Sequence, residues 1–248
     1  MRKLYARPNK ATELEVRPEL ASWDAAGRPS QERLARFLDH VASIAEPVMT
    51  AVDGPVAVEL VVGVPDPLPL TAGGRDLDNY LYPVAQRLGA KRIGAVFGRK
   101  VRGGSSSLAV GPAVPQAVTM GPQFATRVAG SYASKLWKQT LRERLLAAQA
   151  APASSGPVRM QIAVTTGSGR NWANLWKPLL DSFGPVLGED PLQSFHPYDD
   201  RIVDLGLHHV VDAELGHDVL VEAWWGEPTY DPNLLTDYSS RADRRPST

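Results

Sequence analysis

The sequence predicts an α+β fold made of two tandem halves, each a mixed sheet with packed helices. Three observations carry that prediction. Segments with a helical hydrophobic period alternate with segments of strand character. The same succession of elements recurs at a spacing of about a hundred residues. Two stretches within that succession align without a gap from Gly74 and Gly169 onward.

In the first half, Leu34, Phe37, Leu38, Val41, Ile44 and Ala45 recur at the 3.6-residue period behind Ser30, a favoured N-cap residue type. The apolar, β-branched run from Val56 to Val64 reads as a strand. A Gly-rich loop at Gly73 and Gly74 then opens a short helix ending at Gly89. The basic segment from Lys91 to Arg102 alternates as an exposed hairpin would, with glycines that let a phosphate backbone come close. In the second half, Leu136, Trp137, Leu141, Leu145 and Leu146 mark a helix between Tyr132 and Gln149, followed by the linker 150–157 and a strand from Val158 to Thr165. The loop at Gly169 opens the second short helix, in which Asn174 aligns with Asn79, Pro178 with Pro83 and Gly184 with Gly89. The shared proline suits a helix start and the shared glycine a left-handed stop. The halves are accordingly 1–118 and 119–230, with the break near 112–130. The polar tail 231–248 has the composition of a disordered segment.

With 248 residues, 43% apolar and 22% charged, the chain can bury a core without staples, and the absence of cysteine excludes disulfides, Cys-ligated zinc and thiol catalysis. No apolar run approaches the roughly 20 residues of a membrane span, and the start from Met1 to Pro8 lacks the apolar stretch of a signal peptide, so a cytoplasmic protein with no membrane partner is expected. The loops 165–170 and 103–107 lack the lysine and spacing of a P-loop, and no nucleotide cofactor is expected.

The formal charge is zero, from 27 basic and 27 acidic residues, yet the charges are segregated. Between Asn79 and Arg142 there are ten Lys or Arg and no acid; from Asp181 to the end, fourteen acids stand against four arginines. Such polarity suits a phosphate-bearing partner, with Arg75, Lys91, Arg92, Arg99, Lys100 and Arg102 as candidate DNA contacts, or else two blocks that face each other inside the fold.

Asp76 and Asp78 lie two apart where a loop enters a helix, whose N-terminus offsets their charge. Such a pair holds a hard divalent cation, Mg²⁺ or Mn²⁺, and suits phosphodiester hydrolysis. In the second half Lys177 and Asp181 share a helical face, and Asp199 and Asp200 run into a strand at Ile202. His208 and His209, adjacent on a strand, point to opposite faces and make a poor metal site. His196 is a candidate site-lining group, and Trp172, Trp176, Trp224 and Trp225 divide between base stacking and core.

Together these pieces resemble the RusA family of Holliday-junction resolvases, whose pattern is Arg-Asp-x-Asp-Asn-x-x-Lys-x-x-x-Asp followed by an Asp-Asp-x-x-Ile strand. The first half matches at Arg75, Asp76, Asp78 and Asn79, the second at Asn174, Lys177, Asp181, Asp199, Asp200 and Ile202. The resemblance covers roughly 30–110 and 130–225. It implies homodimers with Mg²⁺-binding aspartates and a lysine that cut branched DNA symmetrically, and it makes a tandem copy look like a single-chain pseudo-dimer, open to further self-association. Each half departs from the pattern. Tyr82 stands at the motif lysine and Gln86 at the last acid of the first half, while Asn171 and Ala173 stand at the metal-binding aspartates of the second. The defects are complementary. Either one composite site survives, with Asp76, Asp78 and Asp199 or Asp200 on the metal and Lys177 neutralising transition-state charge, or each site belongs to one half and both are broken, leaving a catalytically inactive protein that binds DNA or a protein partner.

Overall fold

The structure, a computed structural model, describes residues 4–21, 27–103, 105–130 and 134–229. The polar tail from 231 onward and the expected helix start at Tyr132 lie outside the described residues. Among the described residues, ten strands and five α-helices follow in chain order. They are β1 (Leu4–Tyr5), β2 (Ala11–Glu13), α1 (Pro29–Ala51), β3 (Val56–Val64), α2 (Leu77–Leu88), β4 (Ile93–Arg102), β5 (Ser107–Pro112), β6 (Pro115–Gln116), β7 (Phe124–Val128), α3 (Lys135–Ala147), β8 (Val158–Thr166), α4 (Trp176–Leu180), α5 (Gly184–Leu187), β9 (Ile202–Val211) and β10 (Val219–Gly226). None of the described helices is long and apolar enough to cross a membrane.

Eight strands form one mixed sheet in the order β2-β5-β3-β4-β9-β8-β10-β7. Read from either edge, the pairings run antiparallel, antiparallel, parallel, and meet at the antiparallel pair β4–β9. Phe97 faces Gly206 at the middle of that pair. The parallel pairs β3–β4 and β8–β9 each carry a register shift after their first residue pair, Val56 with Ile93 and Val158 with Ile202. The expected α+β class is therefore present, but with one continuous mixed sheet, joined through β4–β9, in place of a separate sheet in each half.

One face of the sheet is covered by helices. Phe37, Val41 and Ala45 of α1, Leu81 and Val84 of α2, and Trp137, Leu141 and Leu145 of α3 are buried there. The helical period of α3 places Leu136 and Leu146 on its exposed side instead. On the opposite face Tyr5 packs with Ala57, Ala95 and Phe97, where β1 and β6 form a two-stranded flap. Arg7 reaches from beside this flap to Glu59 (2.5 Å) and to Asp204, and Arg99 Nε lies 2.9 Å from Glu59. His208 Nδ1 accepts from the Tyr5 backbone N–H (3.1 Å), so its Nε2–H donates to Gln161 Oε1 (2.9 Å). A Cβ on Gly206 would run into that Gln161 amide.

Several expectations are corrected. The segment from Lys91 to Arg102 is not an exposed hairpin. A 3-10 turn (Ala90–Arg92) leads into β4, which is buried from Ile93 to Phe97 and on to Gly98, because a strand paired in parallel at the sheet centre is covered on both faces. Gly98 serves packing, not phosphate approach, since a Cβ there would lie 3.1 Å from Leu81 Cδ1 and 3.2 Å from Leu77 Cδ2. The N-cap of α1 is Arg28, not Ser30, with Pro29 in the first turn, where a missing N–H costs nothing. Pro83 sits inside α2 rather than near its start. The carbonyl that it leaves without a helical donor, on Asn79, accepts from the Ala21 N–H (2.9 Å). Gly89 is the left-handed stop expected (φ 87°), whereas Gly184 is right-handed (φ −48°) and opens α5, where a side chain would collide with the Glu189 carboxylate.

Candidate metal centre

Asp76 is the N-cap residue of α2, Asp78 lies in its first turn, and Asp199 opens a 3-10 turn (Asp199–Arg201) that feeds β9. These three carboxylates converge, with one oxygen from each lying within 4.8 Å of the others. The convergence arises because β4 and β9 are neighbours at the sheet centre and α2 lies over them with its first turn toward the 199–201 turn. Lys177, in the first turn of α4, closes the cluster. Its ammonium donates to Asp199 Oδ2 (3.0 Å) and lies 3.4 Å from Asp181 Oδ1 and 3.9 Å from Asp78 Oδ2. The Lys177–Asp181 pair is thus part of the cluster, not an isolated surface pair. Asp181 also accepts from Lys138 (3.2 Å), and Asp76 Oδ2 accepts from the Asn79 amide (3.1 Å).

The electrostatics are those of an anionic pocket short of cations. Asp78 is 3% exposed, and its Oδ1 is buried with no hydrogen-bond partner. Burial pushes its carboxyl up to about 7; the nearby Lys177 opposes this, and Asp199 and Asp76 add to it. Asp76 is raised for the same first reason, burial, and then by Asp199. Burial lowers Lys177, but Asp78 and Asp199 outweigh it and hold the ammonium firmly charged. Orphaned, buried carboxylate oxygen beside two further carboxylates is the donor set of a hard divalent cation, so the residues fit Mg²⁺ or Mn²⁺.

The other predicted residues are placed differently. Asp200 is not among the converging carboxylates: its backbone carbonyl accepts from Lys100 Nζ (2.9 Å), and its side chain lies beside Gly73. Lys100, expected as a surface contact, is fully buried on the helix-covered face of β4. Burial lowers its ammonium to about 8 against the pull of Asp76, Asp200, Asp199 and Asp78. Sequence reasoning missed it as part of this site, because its strand neighbours gave no sign that β4 is central. Arg99 pairs with Glu59 on the opposite face, and Arg92 donates to carbonyls at the end of α1, including Met49 O (2.8 Å). Arg102 lies 3.5 Å from Asp66. Arg75 and the exposed Lys91 make no ion pair within 4 Å among the described residues.

The two charge blocks meet inside the fold. Arg127 pairs with Asp218 (2.7 Å), Lys138 with Asp181, and Arg142 with Glu189 (3.0 Å). Among the described residues, the alternative of internal pairing is thus met at three of the ten cations of the basic block, while Arg87, Arg99 and Arg102 pair with acids of the first half. His208 and His209 do face opposite ways. His208 lies against Tyr5 and Phe97, while His209 stacks on Trp172 at 4.9 Å with an interplanar angle of 7°. Burial lowers both imidazoles, to about 3 and about 4. His196 is hydrogen-bonded to the Ser194 carbonyl (3.3 Å). Trp172 and Trp176 are core, Trp225 is nearly so, and Trp224 donates to Met120 O (3.2 Å).

Comparison with protein-family models, curated proteins and solved structures finds no match.

Proposed function

We propose that this chain is a metal-dependent endonuclease for branched DNA, similar in plan to RusA-like Holliday-junction resolvases, built as a tandem pseudo-dimer with one composite site. The observation that carries the reading is the meeting of Asp76 and Asp78 from one half with Asp199 and Lys177 from the other, around the unpartnered Oδ1 of Asp78. The sheet order that repeats from either edge, with equivalent register shifts in β3–β4 and β8–β9, supports the tandem plan.

Asp76, Asp78 and Asp199 would hold a divalent ion, which would supply Lewis-acid charge and an acidified water at a phosphodiester. Lys177, with half of its side chain exposed, presents a fixed positive charge from the solvent side, where it offsets charge developing on the phosphate. Lys100 holds the Asp200 backbone and thereby the turn that aims Asp199. Asn79 fixes the Asp76 carboxylate.

The test is incubation of the purified chain with a four-way DNA junction and Mg²⁺ or Mn²⁺. Cleavage that is lost in Asp76→Asn is the expected result. No cleavage, or cleavage unchanged in that variant, overturns the reading. The second reading, junction binding without cleavage, is favoured by Asn171 and Ala173, which leave one motif without carboxylates. It requires binding in EDTA that weakens steeply with salt.

A further inference from the structure

We infer that the chain cuts a single DNA strand per encounter, leaving a nick rather than a paired break; the inference rests on the nuclease reading above. The argument is the content of the position related to the metal centre by the register of the sheet. Val56 pairs with Ile93 and Val158 with Ile202, and both strands are preceded by a 3-10 turn, 90–92 and 199–201. Counted from these anchors, Asp199 corresponds to Ala90 and Lys100 to His209. Counted from the aligned loops, Asp76 corresponds to Asn171, Asp78 to Ala173 and Lys177 to Tyr82. Every carboxylate of the centre has an uncharged counterpart.

The related position is also filled. Trp172 is 1% exposed, its indole N–H donates to the Ala90 carbonyl (3.0 Å), and its ring stacks on His209. His209 is hydrogen-bonded to Thr166 Oγ1 (2.9 Å), and the Tyr82 hydroxyl donates to Asn174 Oδ1 (3.1 Å). The Asn171 side chain accepts from the Ala173 N–H (3.2 Å) and so caps the turn that carries Trp172. Polar groups here are satisfied by one another and by a ring, which leaves neither room nor donors for a cation. A symmetric cut needs two such centres; among the described residues there is one. At that centre the oxygen of one water bonds to phosphorus, and the bond from phosphorus to one nucleoside oxygen breaks. One water proton passes to solvent, and the leaving oxygen takes up a proton as a hydroxyl. The opposite strand stays intact.

The test uses the full chain with a two-fold-symmetric four-way junction labelled on both candidate strands, the junction in excess and light scattering confirming one chain per complex. Doubly cut duplex products are expected to stay below about a tenth of the nicked ones. Paired products formed as fast as the first cuts overturn the inference. Mn²⁺ titration provides a readout independent of cleavage: Asp78→Asn is expected to abolish site binding altogether, and a residual, equally strong set of sites in that variant overturns the single-centre account. Paired cutting with intact metal binding removes only this inference. Absence of both metal binding and cleavage removes the nuclease reading and this inference with it.

Discussion

Replacing Asp78 by Asn should stabilise the metal-free protein while removing its response to metal. Asp78 is a buried acid whose carboxyl is raised from its ordinary 3.8 to about 7, first by burial, with Lys177 only partly compensating. Between those two values the folded state keeps a proton that the unfolded state releases, so stability falls as pH rises through that window and stays low above it. A gap of roughly three pH units at about 1.4 kcal/mol per unit makes the ionised carboxylate cost about 4 kcal/mol at pH 8. Asn removes this cost, and Lys177 keeps Asp199 and Asp181 as partners. Thermal unfolding in EDTA at pH 8 should therefore show the variant melting on the order of 10 °C above the wild type, with the difference vanishing near pH 4. Mn²⁺ at about a hundred times its Kd should then add about 2.7 kcal/mol to the wild type and nothing to the variant. A variant that melts at or below the wild type in EDTA, or that gains as much from Mn²⁺, would refute the reasoning.

Three further outcomes follow from the opposite face and the related position. Arg7→Met leaves Glu59 and Asp204 buried with less compensation and should cost roughly 3–5 kcal/mol in denaturant unfolding; a loss under 1 kcal/mol would show that Arg99 suffices. His208, lowered to about 3 first by burial and then by Arg7, stays neutral in the fold while the unfolded chain protonates near 6.5, so stability drops as pH falls below 6.5. His208→Asn keeps an acceptor for the Tyr5 N–H and should flatten that acid limb by up to about 1.4 kcal/mol per pH unit; an unchanged slope between pH 6.5 and 4.5 counts against it. Trp172→Ala should cost about 3–5 kcal/mol of stability yet leave Mn²⁺ affinity unchanged, and weakened metal binding would mean that the two positions are not separate.

Local pattern reached a good part of the fold. The strand Val56–Val64 is legible to its ends, because a mostly apolar, β-branched run bounded by turn residues favours the extended conformation. The period of Leu34, Phe37 and Val41 located α1, and Gly89 ended α2 with the left-handed residue that its type suggests. What failed depended on partners that chain folding brings in, one of them remote in sequence and one only five residues on. Pro83 is tolerated inside α2 because Ala21 supplies the missing donor, and Gly184 is needed for the approach of Glu189. No local rule contains either partner.

The sequence by itself determined the α+β class of elements and the presence of acidic residues at two separate places in the chain, Asp76 with Asp78 and Asp199 with Asp200. The tertiary structure alone decided that Asp76, Asp78 and Asp199 converge beside Lys177. Asp78 and Asp199 are remote in sequence, and only the antiparallel pairing of β4 with β9 brings the two sets of carboxylates within one cation's reach. It also decided the meaning of the charge segregation, since a strand's cations face a partner or a core according to where the strand lies in the sheet. Lys100 is buried against the centre because β4 is central, Lys138 and Arg142 are paired with acids of the other block because α3 packs beside Asp181 and Glu189, and Arg127 is paired with Asp218 because β7 lies against β10.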